Sequence, residues 1–240
     1  MCRLLAFNVE SFDFKFVDAL RRAAKDDPFF SLGTHDDGWG ASVYYFSKGQ
    51  WRLIAYKTKV PIFEDETLDN LFSLIEGKRA AGVVHARKGR RFLYALPNNH
   101  PYHARARNYD LHFVHNGSIG RKAFQTPDYP ATDSFLYFAE IVREVERGQT
   151  PYEAYKSVTE ALKPYASSLN SALLAYDEVQ GPSLYFVSYH NKARAKEVEE
   201  YYRVYYYNGY VFSSTVKHYL GLGNPVEEGQ VLELTCCPQV

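Results

Sequence analysis

The apolar residues of this chain change period in blocks, and the order of those blocks sets its fold class. An apolar run at residues 4–9 reads as a buried strand beginning almost at the terminus. Residues 13–25 then carry Phe14, Val17, Leu20 and Ala24 at helical spacing. Two strands are expected over 41–46 and 51–57, joined by a turn at Lys48-Gly49, followed by a helix over 67–75 and an interior strand over 80–86. Another strand is expected over 111–114. The clearest helix covers 133–147: Thr132 and Asp133 can cap it, Gly148 can end it, and Leu136, Ala139, Val142 and Val145 form one stripe. Pro151 suits the first turn of a second helix running to residue 162. The remainder reads as strands at 172–176, 184–189, 202–207, 210–213 and 231–235, with Asn208-Gly209 as a two-residue hairpin turn. This order does not alternate strand and helix as a parallel α/β sheet would. It predicts an α+β fold of packed sheets with helices outside. No stretch looks like a linker, so one domain spanning 1–240 is expected.

Composition narrows the partners. With 46% apolar residues among 240, the chain can bury a sizeable core, and disorder is not expected. Lysine plus arginine and aspartate plus glutamate number 28 each, so net charge gives no reason to expect nucleic acid or an anionic membrane as partner. A local basic cluster does occur at Arg87, Lys88, Arg90 and Arg91. No apolar run is long enough to span a bilayer, and the opening MCRLLAFNVE lacks the pattern of a secretory signal. A cytoplasmic location is the expectation. The three cysteines, two of them adjacent at Cys236-Cys237, build no disulfide framework; the adjacent pair reads as a strand end.

Four groups of residues can carry chemistry. Cys2 follows the initiator methionine, and its small side chain favours removal of Met1. The thiol would then share a residue with a free α-amine of reference pKa about 7.7–8.0, able to act as its general base. Taken alone, Cys2 reads sooner as a buried small hydrophobe than as a nucleophile. His115-Asn116-Gly117 follows the strand at 111–114. A side-chain amide and a glycine N–H at a strand end can point at one place and form an oxyanion hole, although Asn-Gly is also an ordinary turn. Arg87 ends the apolar strand at 80–86, where its guanidinium could fork onto a substrate carboxylate or simply face solvent. Asp133 can pair with a substrate ammonium as well as cap its helix. In the loop Asp37-Gly38-Trp39-Gly40 the glycines allow close backbone approach, and Trp39 can wall a pocket or fill the core. The histidines at 85, 100, 103, 112 and 115 match no compact zinc spacing, so no metal is expected. There is no Walker lysine motif and no dinucleotide fingerprint, so no cofactor is expected either.

Taken together and in order, Met1-Cys2-Arg3-Leu4-Leu5, Asp37-Gly38-Trp39-Gly40, His85-Ala86-Arg87, Asn99-His100-Pro101, Phe113-Val114-His115-Asn116-Gly117 and Thr132-Asp133-Ser134 resemble the class II glutamine amidotransferase family of N-terminal-nucleophile hydrolases. The resemblance covers the first 134 residues, with a fainter echo at Val211-Phe212-Ser213-Ser214. It implies a four-layer αββα sandwich of two mostly antiparallel sheets. Cys2 would be the nucleophile, and Asn116 and Gly117 the oxyanion hole. Arg87 would hold the substrate α-carboxylate and Asp133 the α-ammonium. Asn99 and His100 would shape the site, with Gly38 and Trp39 near it. The substrate would be glutamine or a γ-glutamyl amide, cleaved through a thioester. The stand-alone members are the nearest in kind. A separate synthase partner, a homo-oligomer and a binding protein with a relict site are the other arrangements this resemblance leaves open. The sequence departs from the family pattern at Lys88-Gly89-Arg90, where a small residue and then Thr or Ser is usual. It departs again at Phe135 and at Thr215, which stand where the family commonly carries glutamate.

Overall fold

In the computed structural model of the protein, which describes residues 2–89, 96–194 and 196–236, the strands sort into two antiparallel sheets. Met1, Arg90, Arg91 and Cys237 lie outside the described residues. In chain order the elements are β1 (Arg3–Val9), α1 (Lys15–Lys25), β2 (Trp39–Ser47), β3 (Gln50–Thr58), α2 (Thr67–Ser73), β4 (Ala80–Ala86), β5 (Tyr102–Ala106) and β6 (Tyr109–Ile119). There follow α3 (Asp133–Glu146), α4 (Pro151–Leu162), β7 (Ala166–Asp177), β8 (Gly181–Val187), α5 (Glu199–Tyr202), β9 (Val204–Tyr207), β10 (Tyr210–Ser213), α6 (Ser214–Leu220), β11 (Asn224–Pro225) and β12 (Val231–Glu233). The first sheet has the order β11-β9-β10-β1-β4-β2-β3 and the second β12-β8-β7-β6-β5.

Strand alternation builds the layers. Along β1, Leu5, Phe7 and Val9 face α1, α2 and α6 in one core cluster, while Leu4 and Ala6 face the other sheet. Val114, Ala172, Leu174, Leu184 and Phe186 of the second sheet meet them there. The outer face of the second sheet, with Leu111, Phe113, Leu173 and Ala175, packs on Leu136, Ile141, Tyr155 and Val158 of α3 and α4. The result is a four-layer αββα sandwich, as the resemblance implied. No helix of the described residues is long and apolar enough to cross a membrane.

Several expectations are corrected in detail. β6 does not end at residue 114; it runs through Ile119 because β7 pairs with it that far, so Asn116 and Gly117 lie within a strand and form no turn. β5 and α6 were not foreseen, and residue 202 belongs to a short helix, the strand starting at Val204. α6 follows β10 without a break and stops at Gly221, which adopts φ 67° and donates its N–H to the Lys217 carbonyl. The Asn208-Gly209 hairpin is as read, with φ 43° and 82°.

Candidate active site

The chemistry-bearing residues gather at one end of the sandwich because antiparallel pairing fixes which strand ends meet. Arg3 at the start of β1 lies opposite Ala86 at the end of β4, and Ala86 lies opposite Trp39 at the start of β2. Cys2 precedes β1, Arg87 follows β4 and Gly38 precedes β2, so these three share that end. By alternation Cys2 falls on the side of Leu4, the face turned toward the second sheet. Cys2 is buried, and its Sγ accepts the Lys88 N–H at 3.3 Å while donating to the Lys88 carbonyl at 3.6 Å. The Asp37-Gly38 segment is tied to the same place: Arg87 N–H donates to Gly38 O, Asp37 N–H donates to Arg87 O, and Gly89 N–H donates to the Asp37 carboxylate at 2.7 Å.

Asn116 reaches across from the second sheet. Its Oδ1 accepts from His85 Nε2 of β4 at 3.0 Å, and its Nδ2 donates to Ser213 Oγ of β10 at 3.4 Å. Ser213 Oγ in turn accepts the Leu4 N–H at 3.0 Å. Since an amide oxygen can only accept, His85 Nε2 carries the hydrogen. Burial, with the Arg87 charge behind it, pushes the His85 ring down to about 3, so it is neutral at neutral pH. The two bonds orient the Asn116 amide and leave its second N–H to point elsewhere. Next along β6, Gly117 faces Leu169, whose own N–H donates to Tyr189 on the far side of β7. That makes Gly117 and Leu169 a non-hydrogen-bonded pair, so the Gly117 N–H points away from β7, past the end of β5 at Tyr102. Glycine is required there on packing grounds as well: a Cβ would lie 1.9 Å from Ser168 O and 2.7 Å from His115 Nε2.

Asp133 opens α3. Its Oδ2 accepts the Ile119 N–H at 2.7 Å and its Oδ1 the Ser134 N–H at 3.0 Å, which fastens the helix to the end of β6, while Thr132 caps it. His100 is buried, its ring 4.1 Å from that of His85, and neither of its ring nitrogens has a hydrogen-bond partner among the described residues. Asn99 is held internally, donating to Thr58 O at 2.7 Å. Gly38, at φ 101°, lies so close that a Cβ would sit 2.5 Å from that amide nitrogen. The Trp39 side chain is fully buried in the core under α1 and α2, with its indole N–H on Asp65 Oδ2 at 2.9 Å. It therefore takes the core alternative, and only its backbone borders this end of the sheet. Phe135 packs at the edge of the α3 core, its ring 5.6 Å from Tyr102.

Sequence reasoning missed a second cluster directly behind Cys2. Arg3 is 1% exposed, and its Nε donates to Asp27 Oδ2 at 2.5 Å. The same carboxylate accepts from His35 Nε2 at 2.8 Å, Thr215 Oγ1 at 2.7 Å and the Phe29 N–H at 3.0 Å. The Arg3 guanidinium also stacks 3.7 Å over the Tyr201 ring. Burial alone would raise the Asp27 carboxyl, but the His35 hydrogen bond and the Arg3 charge outweigh it and hold it well below the usual carboxylate range. An acidic group is thus present beside Thr215, supplied from position 27. No spacing signal connects Asp27 to Arg3; only the fold brings them together.

The family profile described as Glutamine amidotransferases class-II matches residues 1–174. No curated protein matches the sequence. Among solved structures, the chain is similar to a glutamine aminotransferase class-II domain protein from Silicibacter pomeroyi, at 18% identity and TM-score 0.52, covering 99% of this chain and 100% of that one. It is also similar to a structure described as the allosteric regulatory enzyme of purine biosynthesis, at 17% identity and TM-score 0.59, covering 97% of this chain and 46% of that one. At these identities the likeness is one of fold.

Proposed function

This chain belongs to the class II glutamine amidotransferase family, and from that premise we propose that it is an amidohydrolase of glutamine or a γ-glutamyl amide, with Cys2 as its nucleophile. The observation that carries the reading is that Cys2 precedes β1 at the end of the sandwich where Asn116 of the second sheet reaches Ser213 Oγ, the acceptor of the Leu4 N–H, and where the Gly117 N–H points off the edge of β6. Removal of Met1 frees the Cys2 α-amine, which takes the thiol proton as sulfur attacks the side-chain carbonyl carbon. The C=O π electrons move to oxygen, and Asn116 and Gly117 donate to that oxyanion; such donors are worth roughly 10²–10³ in rate each. Collapse breaks the C–N bond. The leaving nitrogen takes the proton back from the α-ammonium and departs as ammonia or an amine, and a thioester remains on Cys2. Water, deprotonated by the same amine, cleaves the thioester to release glutamate.

The substrate's remaining groups meet Arg87 at its α-carboxylate and Asp133 at its α-ammonium. Each Asp133 oxygen accepts one backbone N–H and keeps a lone pair for a second donor. His100, with Gly38 and Asn99 behind it, borders the same end. The reading takes residues 1–240 as one amidohydrolase domain. Intact-mass measurement before and after incubation with a glutamine-analogue electrophile tests it. The expected result is a chain lacking Met1 that gains one adduct on Cys2. A chain that retains Met1, or a Cys2→Ala variant with full activity, would overturn it.

A further inference from the structure

A second constellation sits on the same strand as Asn116 but at its opposite end, outside the chemistry proposed above. His103 of β5 and His112 of β6 are direct register partners, and Asp110 lies two residues from His112 on the same face. One donor atom from each of the three lies within 4.8 Å of the others. His103 Nε2 is 2.5 Å from Asp110 Oδ1, and His112 Nε2 is 3.4 Å from Asp110 Oδ2. The latter is an ion-pair contact whose alignment falls short of a hydrogen bond. His112 is 1% exposed, yet neither of its ring nitrogens has a hydrogen-bond partner among the described residues. A buried imidazole in that state is costly unless something else takes its lone pair. The His103 side chain, in contrast, is 51% exposed, so the cluster opens to solvent on one side.

The donor set has a definite preference. Two imidazoles and one carboxylate suit zinc or a similar first-row cation and not magnesium or calcium. Bonds of about 2.0–2.1 Å put tetrahedral donors about 3.3–3.4 Å apart, the separation already seen between His112 and Asp110, whereas His103, hydrogen-bonded to Asp110 at 2.5 Å, exchanges that bond for the ion by drawing back on its exposed side. Tyr44 of β2, in the facing sheet, donates its hydroxyl to Asp110 Oδ2 at 2.5 Å and so fixes the carboxylate as an outer partner would. Arg105 is the register partner of Asp110, but among the described residues the two form no ion pair. The eight residues between His103 and His112 match no compact zinc motif because β-hairpin register, and not loop spacing, brings them together.

We propose that His103, Asp110 and His112 form a site for a divalent transition cation of the zinc type, open to water at the fourth position, which clips the β5–β6 hairpin to the facing sheet through Tyr44. The test is calorimetric titration of zinc chloride near neutral pH into protein carrying Cys2→Ala, Cys236→Ser and Cys237→Ser, which removes the three thiols that would themselves take zinc. One site per chain is expected. His103→Gln in the same background, at an exposed position that does not threaten folding, should weaken it at least tenfold. Tyr44→Phe should weaken it on the order of tenfold while leaving one site per chain. Cobalt chloride should give the visible bands of a four-coordinate ion in the same cysteine-free protein and lose them in its His103→Gln variant. Absence of a one-to-one site, or a site that His103→Gln weakens less than tenfold, overturns the proposal.

Discussion

Replacing Asp27 by asparagine changes one atom and tests the cluster behind Cys2. The carboxylate is fully buried and serves Arg3, His35, Thr215 and the Phe29 amide. Asparagine keeps one acceptor oxygen but turns an NH₂ group toward either Arg3 or Thr215, both of which donate. It also leaves the Arg3 guanidinium, at 1% exposure, without a counter-charge. Breaking a buried pair by removing one partner costs about 3–5 kcal/mol, far more than the pair's net contribution over an apolar replacement. For a chain of 240 residues, 1 kcal/mol moves Tm by roughly 2–4 °C, so a fall of about 6–20 °C is expected. Asp18→Asn is the control: its partners Arg21 and Arg22 are 34% and 62% exposed and reach water, so its loss should cost about 1 kcal/mol or less. Differential scanning calorimetry of the three proteins reads both values. An Asp27→Asn protein melting within about 2 °C of the parent would refute the reasoning, because it would mean that Arg3 finds another partner or water on unpairing.

Gly117→Ala should fold poorly or melt far below the parent, since its Cβ meets Ser168 O at 1.9 Å, whereas Gly120→Ala, with its nearest contact at 3.6 Å, should melt close to it. Asn116→Ala should lower kcat about 10²–10³-fold in a glutamate-release assay with KM little changed, and should also lower Tm because it unties His85 and Ser213. If the Cys2 α-amine is the base, kcat/KM should rise with pH and level off above about 8; a profile flat from pH 6 to 9 would contradict that assignment. Burial pushes His35 down to about 4 and His85 to about 3, so between those values and about 6.5 the unfolded chain binds more protons than the folded one. Stability should therefore fall as pH drops from 6.5 to 5, above the range where carboxylates titrate, and urea melts across that window should show a reduced slope in His35→Asn.

How legible all this was depended on the range of the physics involved. Local periodicity gave β4, α3, α4 and the Asn208-Gly209 hairpin with little error, because each is set by its own residues. The end of β6 was hidden: His115-Asn116-Gly117 has the local chemistry of a turn, and only pairing with β7 makes it strand. α6 was hidden by its directness, a helix starting at the residue after β10 with no loop to announce it. The motif residues at the candidate site were visible in sequence, and the fold does bring Cys2, Arg87, Gly38, Asn116 and Asp133 to one end. Asp27 was invisible as the partner of Arg3, and His35 as a second partner of Asp27, because a buried charge pair 24 residues apart leaves no spacing pattern. Trp39 could not be assigned between pocket and core until its layer was known.

Gly117 carries two constraints that a population of sequences would experience separately. One is the N–H it offers on the open edge of β6; the other is the Ser168 carbonyl pressed against the place a side chain would occupy. A lineage that abandoned the reaction would be released from the first and still held by the second. Selection for folding alone would go on purging substitutions at Gly117, and likewise at Asp27, long after turnover ceased. Among the described residues the Cys2 thiol is held by two long hydrogen bonds to the Lys88 backbone, so position 2 would be far freer to drift. Position 2, and not the glycine, is where a descendant's loss of chemistry would first be written.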